Sequence, residues 1–323
     1  MKWLKGVLTA VLVVFLFAGL FARGFGGQDP VKDTEFLFDT LCTITTYSKS
    51  HHAAVDAAFS EAGRIHRLAD FFDPQSDVSR INSAKAKVAI KVDPNIMDML
   101  LLAREIREKS EGAFDITIAP VSTLWKFDEE SPIPPTDAQI EAYLPFVGRD
   151  KLMLDADNMT VLKNFAETKI DLGGIAKGYA ADKAAEILSN LGVDSAIIDF
   201  GGNIVTIGEN PKTHNKKWRI GLQAPYAPTG EYSKIIETSS CAVVTSGTYQ
   251  RYFEYDGTKY HHIIDPKTGR PARQDFDSVT AVSSSAALAD CIATATFVLG
   301  KNQGEALAES FGADLYFLQS DSQ

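Results

Sequence analysis

A glycine pair that runs directly into a lysine-bearing helix pattern is the first stretch of this sequence that could support chemistry. Residues 171–182 read D-L-G-G-I-A-K-G-Y-A-A-D, and the preceding T-K-I-D-L predicts a buried strand. Glycines allow backbone groups to approach a ligand closely, and a helix start offers unpaired N–H groups at its positive dipole end. The stretch is therefore typical of a site for an anionic phosphate. An ordinary strand-to-helix turn with Lys177 at the surface is the alternative.

A second segment adds candidate metal ligands. Residues 286–300 read A-A-L-A-D-C-I-A-T-A-T-F-V-L-G, a composition that predicts a buried helix. Asp290 and Thr294 are four residues apart and project from the same helix face. Oxygen donors of this kind suit Mg²⁺, which takes few protein ligands and completes its shell with substrate phosphates and water. The alternative is a carboxylate capped by a local hydroxyl or paired with a basic side chain.

Charge and composition limit the classes of protein that this chain can belong to. Its 323 residues with 45% hydrophobic content can form one large domain or two modest ones. The formal net charge of −10 argues against nucleic acid as a partner. An acidic protein that binds an anionic ligand needs a local cation, which again favours a metal. There is no G-x-G-x-x-G, G-x-x-x-x-G-K-[ST] or G-x-S-x-G, so these nucleotide-binding and serine-hydrolase motifs are excluded.

The N-terminus has the pattern of a targeting segment. Lys2 and Lys5 precede seventeen uncharged residues, 6–22, which Arg23 and a glycine-rich stretch follow. We expect residues 1–27 to be a signal sequence or a retained membrane anchor, with the remainder, 28–323, on the far side of the bacterial inner membrane. A poor cleavage site at the end of the apolar run favours the anchor.

The element pattern predicts an α+β fold of mixed sheets and helices. Strand-forming residues occupy 36–47, and helical spacing of apolar residues runs from Val55 to Phe72. Further predicted helices span 94–109, 175–191, 286–299 and 303–311; a loop entering a strand is predicted at 112–118, strands at 195–199 and 314–318, and a hairpin turn at 256–257. The prolines at 132, 134 and 135 mark the best candidate for an internal boundary. Three cysteines without metal-ligand spacing predict buried apolar residues.

Five motifs in order carry a resemblance to a known family. They are D-L-G-G-I-A-K-G-Y-A-A-D at 171–182, F-G-G-N at 200–203, T-S-G-T-Y at 245–249, H-H-I-I-D-P-K-T-G-R-P at 261–271 and A-D-C-I-A-T-A at 289–295. Together they resemble the ApbE family, the FAD:protein FMN transferases of the bacterial cell envelope. The resemblance implies a T-fold-related architecture over 28–323 with the active site in a groove between two subregions. It also implies a Mg²⁺-dependent enzyme that cuts FAD at its pyrophosphate, transfers FMN to a threonine hydroxyl of another protein and releases AMP.

The resemblance also assigns roles to residues of this chain. It implies that Mg²⁺ is held by Gly174 and Ala293 through main-chain carbonyls, by the Asp290 carboxylate and by the Thr294 hydroxyl. The implied FAD contacts are Phe38, Phe72, Ala113, Phe114, Asp115, Asp171, Lys177 and Ile264. Phe38 stands where the family often has methionine, and Phe72 where it often has tyrosine, so a ring face is kept but a hydroxyl is lost.

The acceptor hydroxyl must lose a proton, and two residues are candidates for the base. His262 is the family-matched histidine, with a free pKa near 6.5 that suits a base, and Asp171 is its competitor. His262 could instead orient FAD or hold a strand end. Acceptors implied by the resemblance are subunits of sodium-pumping NADH:quinone reductase (Nqr) or Rnf-type complexes. The alternative functions are an FAD pyrophosphatase that gives free FMN and AMP, and a flavin-binding protein without turnover.

Overall fold

The computed structural model of the chain describes residues 30–47 and 51–320. The predicted targeting segment therefore lies outside the described residues. Among the helices within those ranges, none combines the length and the apolar character that a membrane crossing requires.

Helices make up one layer of the molecule. The α-helices are α1 His52–Ala69, α2 Asp77–Ser83, α3 Pro94–Lys109, α4 Ala119–Ser122, α5 Asp137–Tyr143, α6 Ala176–Asn190, α7 Ala286–Leu299 and α8 Lys301–Ser310. Short 3₁₀ helices occur at Ile116–Ile118, Thr123–Trp125, Leu144–Phe146 and Arg149–Lys151.

Strands make up the second layer and several small ribbons. The strands are β1 Val31–Leu37, β2 Thr40–Thr46, β3 Ile90–Lys91, β4 Leu152–Asp155, β5 Thr160–Lys163, β6 Ala196–Phe200, β7 Asn203–Ile207 and β8 Trp218–Gln223. They continue with β9 Tyr232–Thr238, β10 Ala242–Gly247, β11 Tyr252–Tyr255, β12 Thr258–His261, β13 Ile264–Asp265, β14 Arg270–Pro271, β15 Ser278–Ser283 and β16 Asp314–Leu318.

A seven-stranded antiparallel sheet in the order β1-β2-β6-β7-β10-β15-β16 organises the fold. Helices α6 and α7 pack side by side on one face of it, and α1 packs against α6. The main core lies between these helices and the sheet. On the opposite face, the β8–β9 ribbon covers a smaller apolar cluster around Trp218.

The α+β prediction is confirmed, and most predicted helices occur within one or two residues of their expected bounds. Residues 36–46 lie in strands, as predicted, except at Phe38 and Asp39, which adopt positive φ, 52° and 58°, and reverse the chain between β1 and β2. Two local predictions are wrong. Residues 168–172 form no strand, and 112–118 leads into a 3₁₀ helix.

Phe72 also lies outside the helix that its spacing predicts. Helix α1 ends at Ala69, and Asp70 then turns the chain by accepting hydrogen bonds from the backbone N–H groups of Phe72 (2.7 Å) and Asp73 (3.2 Å). A local side-chain acceptor of this kind competes with helix continuation. The Phe72 ring is therefore left 74% exposed beyond the helix end.

Candidate active site

Helices α6 and α7 cap each other's N-termini with two aspartates, of which Asp290 is buried and Asp182 partly buried. Asp182 of α6 accepts hydrogen bonds from Ala286 N (2.7 Å) and Ala287 N (2.9 Å) at the start of α7. Asp290 of α7 in turn accepts from Gly178 N (3.3 Å), in the first turn of α6. Each carboxylate lies where a helix start presents free N–H groups and a partial positive charge. This exchange fixes the two helices, and the motifs on them, in one arrangement.

The close approach of the two helices depends on Gly178. A Cβ at that position would lie 2.3 Å from the Ala286 carbonyl oxygen and 2.6 Å from its carbon, both backbone atoms. A side chain there would force the helices apart. The glycine in K-G-Y is thus needed for packing and not for ligand contact.

Asp290 is a buried carboxylate that no basic side chain neutralises. It is 5% exposed, and within the described chain it forms no ion pair. Asn203 Nδ2 donates to its Oδ2 (2.7 Å), the same oxygen that Gly178 N reaches, so Oδ1 accepts no hydrogen bond among the described residues. Burial raises its pKa, against the opposing effects of the Lys177 charge and of these two hydrogen bonds.

The other expected metal ligands line the same cavity as Asp290, with the exception of Ala293. Thr294 Oγ1 has a single long contact, 3.4 Å, with Ser246 Oγ, and a Cβ on Gly174 would lie 3.5 Å from the same hydroxyl oxygen. Ala293 is fully buried inside α7, where its carbonyl is placed to accept the helical N–H four residues on. Its role as a ligand stays a prediction.

The donor set fits a small hard cation better than a transition metal. The described residues contain no group of three or more His, Cys, Asp or Glu side chains that could hold a metal ion. One carboxylate, one hydroxyl and backbone carbonyls leave several coordination positions for water and phosphate oxygens, as Mg²⁺ requires. Among the residues present, Asp290, Thr294 and Gly174 would hold it.

A single large cavity connects these groups with the predicted flavin contacts. It measures about 1030 Å³ and lies at the sheet end where the β1–β2 and β6–β7 turns, the end of β10 and the start of α6 meet. This volume is at the upper end of small-molecule sites and is large enough for a dinucleotide. Every predicted site residue except Ala293 contributes to its wall: Phe38, Phe72, Ala113, Phe114, Asp115, Asp171, Gly174, Lys177, His262, Ile264, Asp290 and Thr294.

Hydrogen bonds to both carboxylate oxygens of Asp115 hold the loop Ala113-Phe114-Asp115 in place. Arg107 Nε donates to its Oδ2 (2.5 Å), while Thr117 N (2.9 Å) and Thr117 Oγ1 (2.6 Å) donate to its Oδ1. The Asp115 carboxylate therefore stabilises the conformation of the loop. Phe114 reaches toward the glycine turn, since a Cβ on Gly174 would lie 3.1 Å from its ring.

Asp171 and Lys177 frame the glycine turn. Asp171 N donates to Ile116 O (2.8 Å), and its carboxylate accepts from Gly173 N (2.8 Å) in a local turn. Lys177 Nζ contacts Gly173 O (3.2 Å) and remains half-buried in the cavity wall. Asp171 and Lys177 thus both line the cavity in which an anionic ligand would lie.

The two adjacent histidines have different hydrogen-bonding states. His261 is buried with both ring nitrogens engaged: Nε2 with Ala272 O (2.7 Å), and Nδ1 as acceptor from Ile263 N (3.3 Å). His262 uses only Nδ1, toward Arg251 O (3.1 Å). Because a carbonyl can only accept, Nδ1 must carry the proton, which leaves Nε2 with a lone pair. His262 is thus the histidine with a basic nitrogen available to the cavity.

Burial lowers the pKa of His262 to about 4. The ring is therefore neutral at pH 7, and it can accept a proton only where a nearby negative charge stabilises the imidazolium. The diphosphate of a bound dinucleotide would supply such a charge.

Aromatic and apolar side chains form the outer wall. The Phe38 ring packs edge-on against His66 at 5.0 Å, and Ile264 is buried at the start of β13. Phe72 makes an edge contact with Phe71 at 5.2 Å and is otherwise exposed at the cavity mouth. A planar ring system can stack against an exposed aromatic face of this kind.

The structure adds three residues that sequence reasoning did not assign to the site. Asn203 holds Asp290, Ser246 contacts Thr294, and Arg251 lines the mouth while pairing with Asp128 at 3.2 Å. Asn203 lies in the F-G-G-N motif, whose glycine pair is typical of a tight turn. The turn is present, with Gly201 and Gly202 at φ 63° and 89°, and it places the amide on the carboxylate.

Comparisons with known proteins identify the family of the chain. The ApbE family model matches residues 38–317. The chain is similar to the FAD:protein FMN transferase of Treponema pallidum, with 32% identity over 340 residues that cover 99% of this chain and 92% of the relative. It is also similar to the enzyme of that name from Vibrio cholerae, with 32% identity over 265 residues, 81% of this chain and 77% of the relative.

Solved structures show the same architecture. The ApbE protein of Thermotoga maritima superposes with a TM-score of 0.81 at 32% identity, covering 91% of this chain and 97% of that one. The apo form of the Pseudomonas stutzeri flavinyl transferase ApbE gives a TM-score of 0.81 at 27% identity, with coverage of 93% and 94%.

Proposed function

Because the chain belongs to the ApbE family and is a flavin transferase, we propose that it carries out a Mg²⁺-dependent transfer of FMN from FAD to a threonine hydroxyl of another protein. One observation carries the metal-dependent part of the proposal. The unengaged Oδ1 of buried Asp290 lies with the Thr294 hydroxyl and the Gly174 turn in the wall of one dinucleotide-sized cavity.

The residues of this chain account for binding and orientation of FAD. The start of α6 and the Lys177 ammonium supply positive potential for the diphosphate, while Phe38, Phe114 and Ile264 supply apolar contacts for a ring system. When bound, Mg²⁺ supplies charge neutralisation at the phosphate oxygens.

The reaction exchanges one P–O bond for another. The threonine oxygen bonds to the phosphorus of the FMN half, the pyrophosphate bond breaks, and AMP leaves with the electron pair of the bridging oxygen. The threonine proton moves to a base, for which His262 Nε2 has the required lone pair and Asp171 is the second candidate. FAD and the acceptor hydroxyl thus yield the phosphoester-linked FMN protein and AMP.

Incubation with FAD, Mg²⁺ and an acceptor peptide tests the proposal. The peptide is taken from an Nqr- or Rnf-type subunit and bears the acceptor threonine; a second peptide has valine in its place. We expect mass spectrometry to show one covalent FMN on the threonine peptide, none on the valine peptide, and AMP in equal amount. Free FMN without peptide modification would make the protein an FAD pyrophosphatase, and unchanged FAD would make it a flavin-binding protein.

A variant tests the metal site in the same assay. Asp290→Ala should abolish Mg²⁺-dependent transfer, because it removes the one carboxylate of the predicted donor set. Asp150→Ala is the control, since Asp150 is an exposed carboxylate outside the cavity. Transfer by Asp290→Ala at the wild-type rate would refute the assigned metal site.

We also propose that the protein acts on the outer face of the bacterial inner membrane, held there by its N-terminal segment. The support is the sequence pattern of residues 1–27 alone. Protease added to intact spheroplasts should digest the catalytic part, and mass spectrometry of the membrane-extracted protein should recover the uncleaved N-terminal peptide.

A further inference from the structure

A buried lysine without a carboxylate partner lies behind the glycine turn. Lys163, the last residue of β5, is 1% exposed. Its Nζ donates to three backbone carbonyls, those of Asn82 (2.7 Å), Ala166 (2.8 Å) and Thr168 (3.0 Å). Within the described ranges it takes part in no ion pair. All three N–H groups of the ammonium are therefore satisfied by carbonyls, as in a cation site made of backbone oxygens.

The three carbonyls belong to the pieces of chain that lead to the active site. Ala166 and Thr168 lie in the irregular segment 164–170 that connects β5 to Asp171. Asn82, at the end of α2, bonds to the same segment in a second way: its Nδ2 donates to Ile170 O (2.9 Å), and its Oδ1 accepts from Ile170 N (2.7 Å). A side-chain amide thus replaces the strand partner that this segment lacks.

The residues that follow this anchored segment are those of the site. Ile170 precedes Asp171, whose N–H donates to Ile116 O beside the Phe114 loop, and the glycine turn comes next. Lys163 itself does not line the cavity. Any influence on ligand binding must therefore pass through the position of Asp171 and the turn.

We infer that Lys163 is a positioning residue for the dinucleotide site: its ammonium, a cation attached to the chain, holds segment 164–170 so that Asp171 and the glycine turn are in place to contact FAD. The inference rests on the proposed function and names a determinant of its substrate affinity. Burial lowers the pKa of Lys163 to about 8, so at neutral pH the amine is mostly protonated and keeps three donors for three acceptors.

The test replaces the ammonium group of Lys163 by free ammonium ions from solution. Lys163→Ala leaves three inward-facing carbonyls and a space that ammonium can fill. With Mg²⁺ present at pH 7, we expect FAD titrations followed by flavin fluorescence to give a Kd about tenfold weaker than wild type. Ammonium chloride should recover at least about threefold of this loss, while tetramethylammonium chloride at equal ionic strength should not, because it has no N–H donor.

Two further variants separate positioning from loss of charge or of fold. Lys169→Ala removes an exposed lysine of the same segment and should leave the Kd within about twofold of wild type. Asn82→Ala keeps the Asn82 carbonyl but removes the bridge to Ile170, so it should weaken FAD binding without any recovery by ammonium. Melting temperatures without FAD are recorded for each protein.

The outcomes are distinct from those for the proposed function. If wild type binds FAD and Lys163→Ala binds it equally well, the inference is wrong. It is also wrong if the two salts recover binding equally, or if the melting temperature falls while the FAD Kd of the folded fraction stays at the wild-type value. Failure of wild type itself to bind FAD would instead overturn the proposed function.

Discussion

Asp290 is a buried carboxylate and Asp182 a partly buried one, and desolvation raises the pKa of both. Their hydrogen-bond partners differ. Both oxygens of Asp182 are used, because Ser285 Oγ (2.7 Å) adds to the two backbone donors of α7. Among the described residues, only Oδ2 of Asp290 accepts a hydrogen bond, and Asp290 lines the cavity. Asp182 is thus a complete helix cap, whereas Asp290 keeps half of its bonding capacity for something that the protein does not supply.

This difference predicts opposite effects of the same substitution on stability. A carboxyl whose folded pKa lies above its unfolded value binds extra protons when folded, so folding loses stability as the pH rises past the unfolded pKa. Asp290→Asn removes that charge, and the amide oxygen of the new side chain can still accept from both Gly178 N and Asn203 Nδ2. We therefore expect the melting temperature of the ligand-free protein at pH 7 to rise by about 2 °C.

Asp182→Asn is the matched control. Its NH₂ group must replace an acceptor of backbone N–H groups, so it should destabilise the protein by about 1–2 kcal/mol. Differential scanning calorimetry without Mg²⁺ measures both variants. A melting temperature that falls in Asp290→Asn as much as in Asp182→Asn would show that Asp290 is also a structural cap.

His262 gives a prediction on pH. Since burial lowers its pKa to about 4, the free enzyme should hold the base in its active, neutral form from pH 5 to pH 8. A plot of kcat/KM for FMN transfer should therefore show no inflection near pH 6.5. As the pH is lowered, kcat should begin to fall at a higher pH than kcat/KM does. The reason is that the diphosphate of bound FAD stabilises the imidazolium and so raises the pKa of His262 in the complex.

The role of the ring nitrogen is tested by His262→Ala. We expect transfer to fall by about 10²-fold or more with the FAD Kd nearly unchanged. Equal losses in kcat and in FAD affinity would point to orientation of FAD, and an inflection in wild-type kcat/KM near pH 6.5 would show an exposed histidine or another group as the base.

At the scale of elements, the site depends on how closely α6 and α7 approach. Gly178→Ala should destabilise the protein by about 1–3 kcal/mol, since its Cβ would lie within 2.3 Å of backbone that cannot yield without moving α7. Gly63→Ala is the matched control in the interior of α1, where a Cβ would meet only Arg67 Nη1 at 3.5 Å and Leu37 Cδ2 at 4.0 Å. It should stabilise by about 0.5–1 kcal/mol.

Urea unfolding curves of the two alanine variants measure these changes, and Mg²⁺-dependent FAD binding should weaken only in Gly178→Ala. If the two variants had equal stability, the helix contact at Gly178 would not limit the packing of the site.

The elements also show what the sequence could and could not predict. Helix α3 was predicted at its observed bounds because its signals are local: Asp93 accepts from Asn95 N at 2.9 Å, and Pro94 occupies the first helical turn. Residues 168–172 look like a buried strand, but what holds them is the amide of Asn82, 88 residues away from Ile170. No local pattern reveals such a partner.

The same distinction between local signals and long-range partners applies to the site. Residue type and spacing were enough to select Asp290, Thr294 and the glycine turn, because nearby sequence alone indicates the chemistry of each. The use of one Asp290 oxygen by Asn203, across 87 residues, could not be predicted, since it depends on the pairing of β6 and β7 next to α7. The function of the F-G-G-N turn therefore needed the fold.

At the scale of the whole molecule, binding of FAD must overcome the charge of the protein. A formal charge of −10 opposes the binding of a diphosphate. The cavity wall contains three lysine or arginine side chains, Lys126, Lys177 and Arg251, and seven acidic ones, Asp39, Asp70, Asp115, Asp128, Glu129, Asp171 and Asp290. Of the three basic groups, Lys126 and Arg251 already pair with Glu129 and Asp128. A bound divalent cation is thus the main means of making this cavity attractive to an anion.

Mg²⁺ and FAD should consequently stabilise the protein cooperatively. Either one alone at millimolar concentration should raise the melting temperature only slightly, because Mg²⁺ lacks phosphate ligands and FAD meets an uncompensated carboxylate. When both are near a hundredfold above their Kd values, the two ligands together should stabilise the protein by about 2–3 kcal/mol more than the sum of their separate effects. Calorimetry with each ligand alone, with both, and with both plus EDTA measures the coupling, and Ca²⁺ is the control for ion size.

Asp290→Asn should lose the coupling but keep the weak response to FAD alone. Purely additive shifts in wild type would mean that metal and dinucleotide bind independently, and that Asp290 does not couple them.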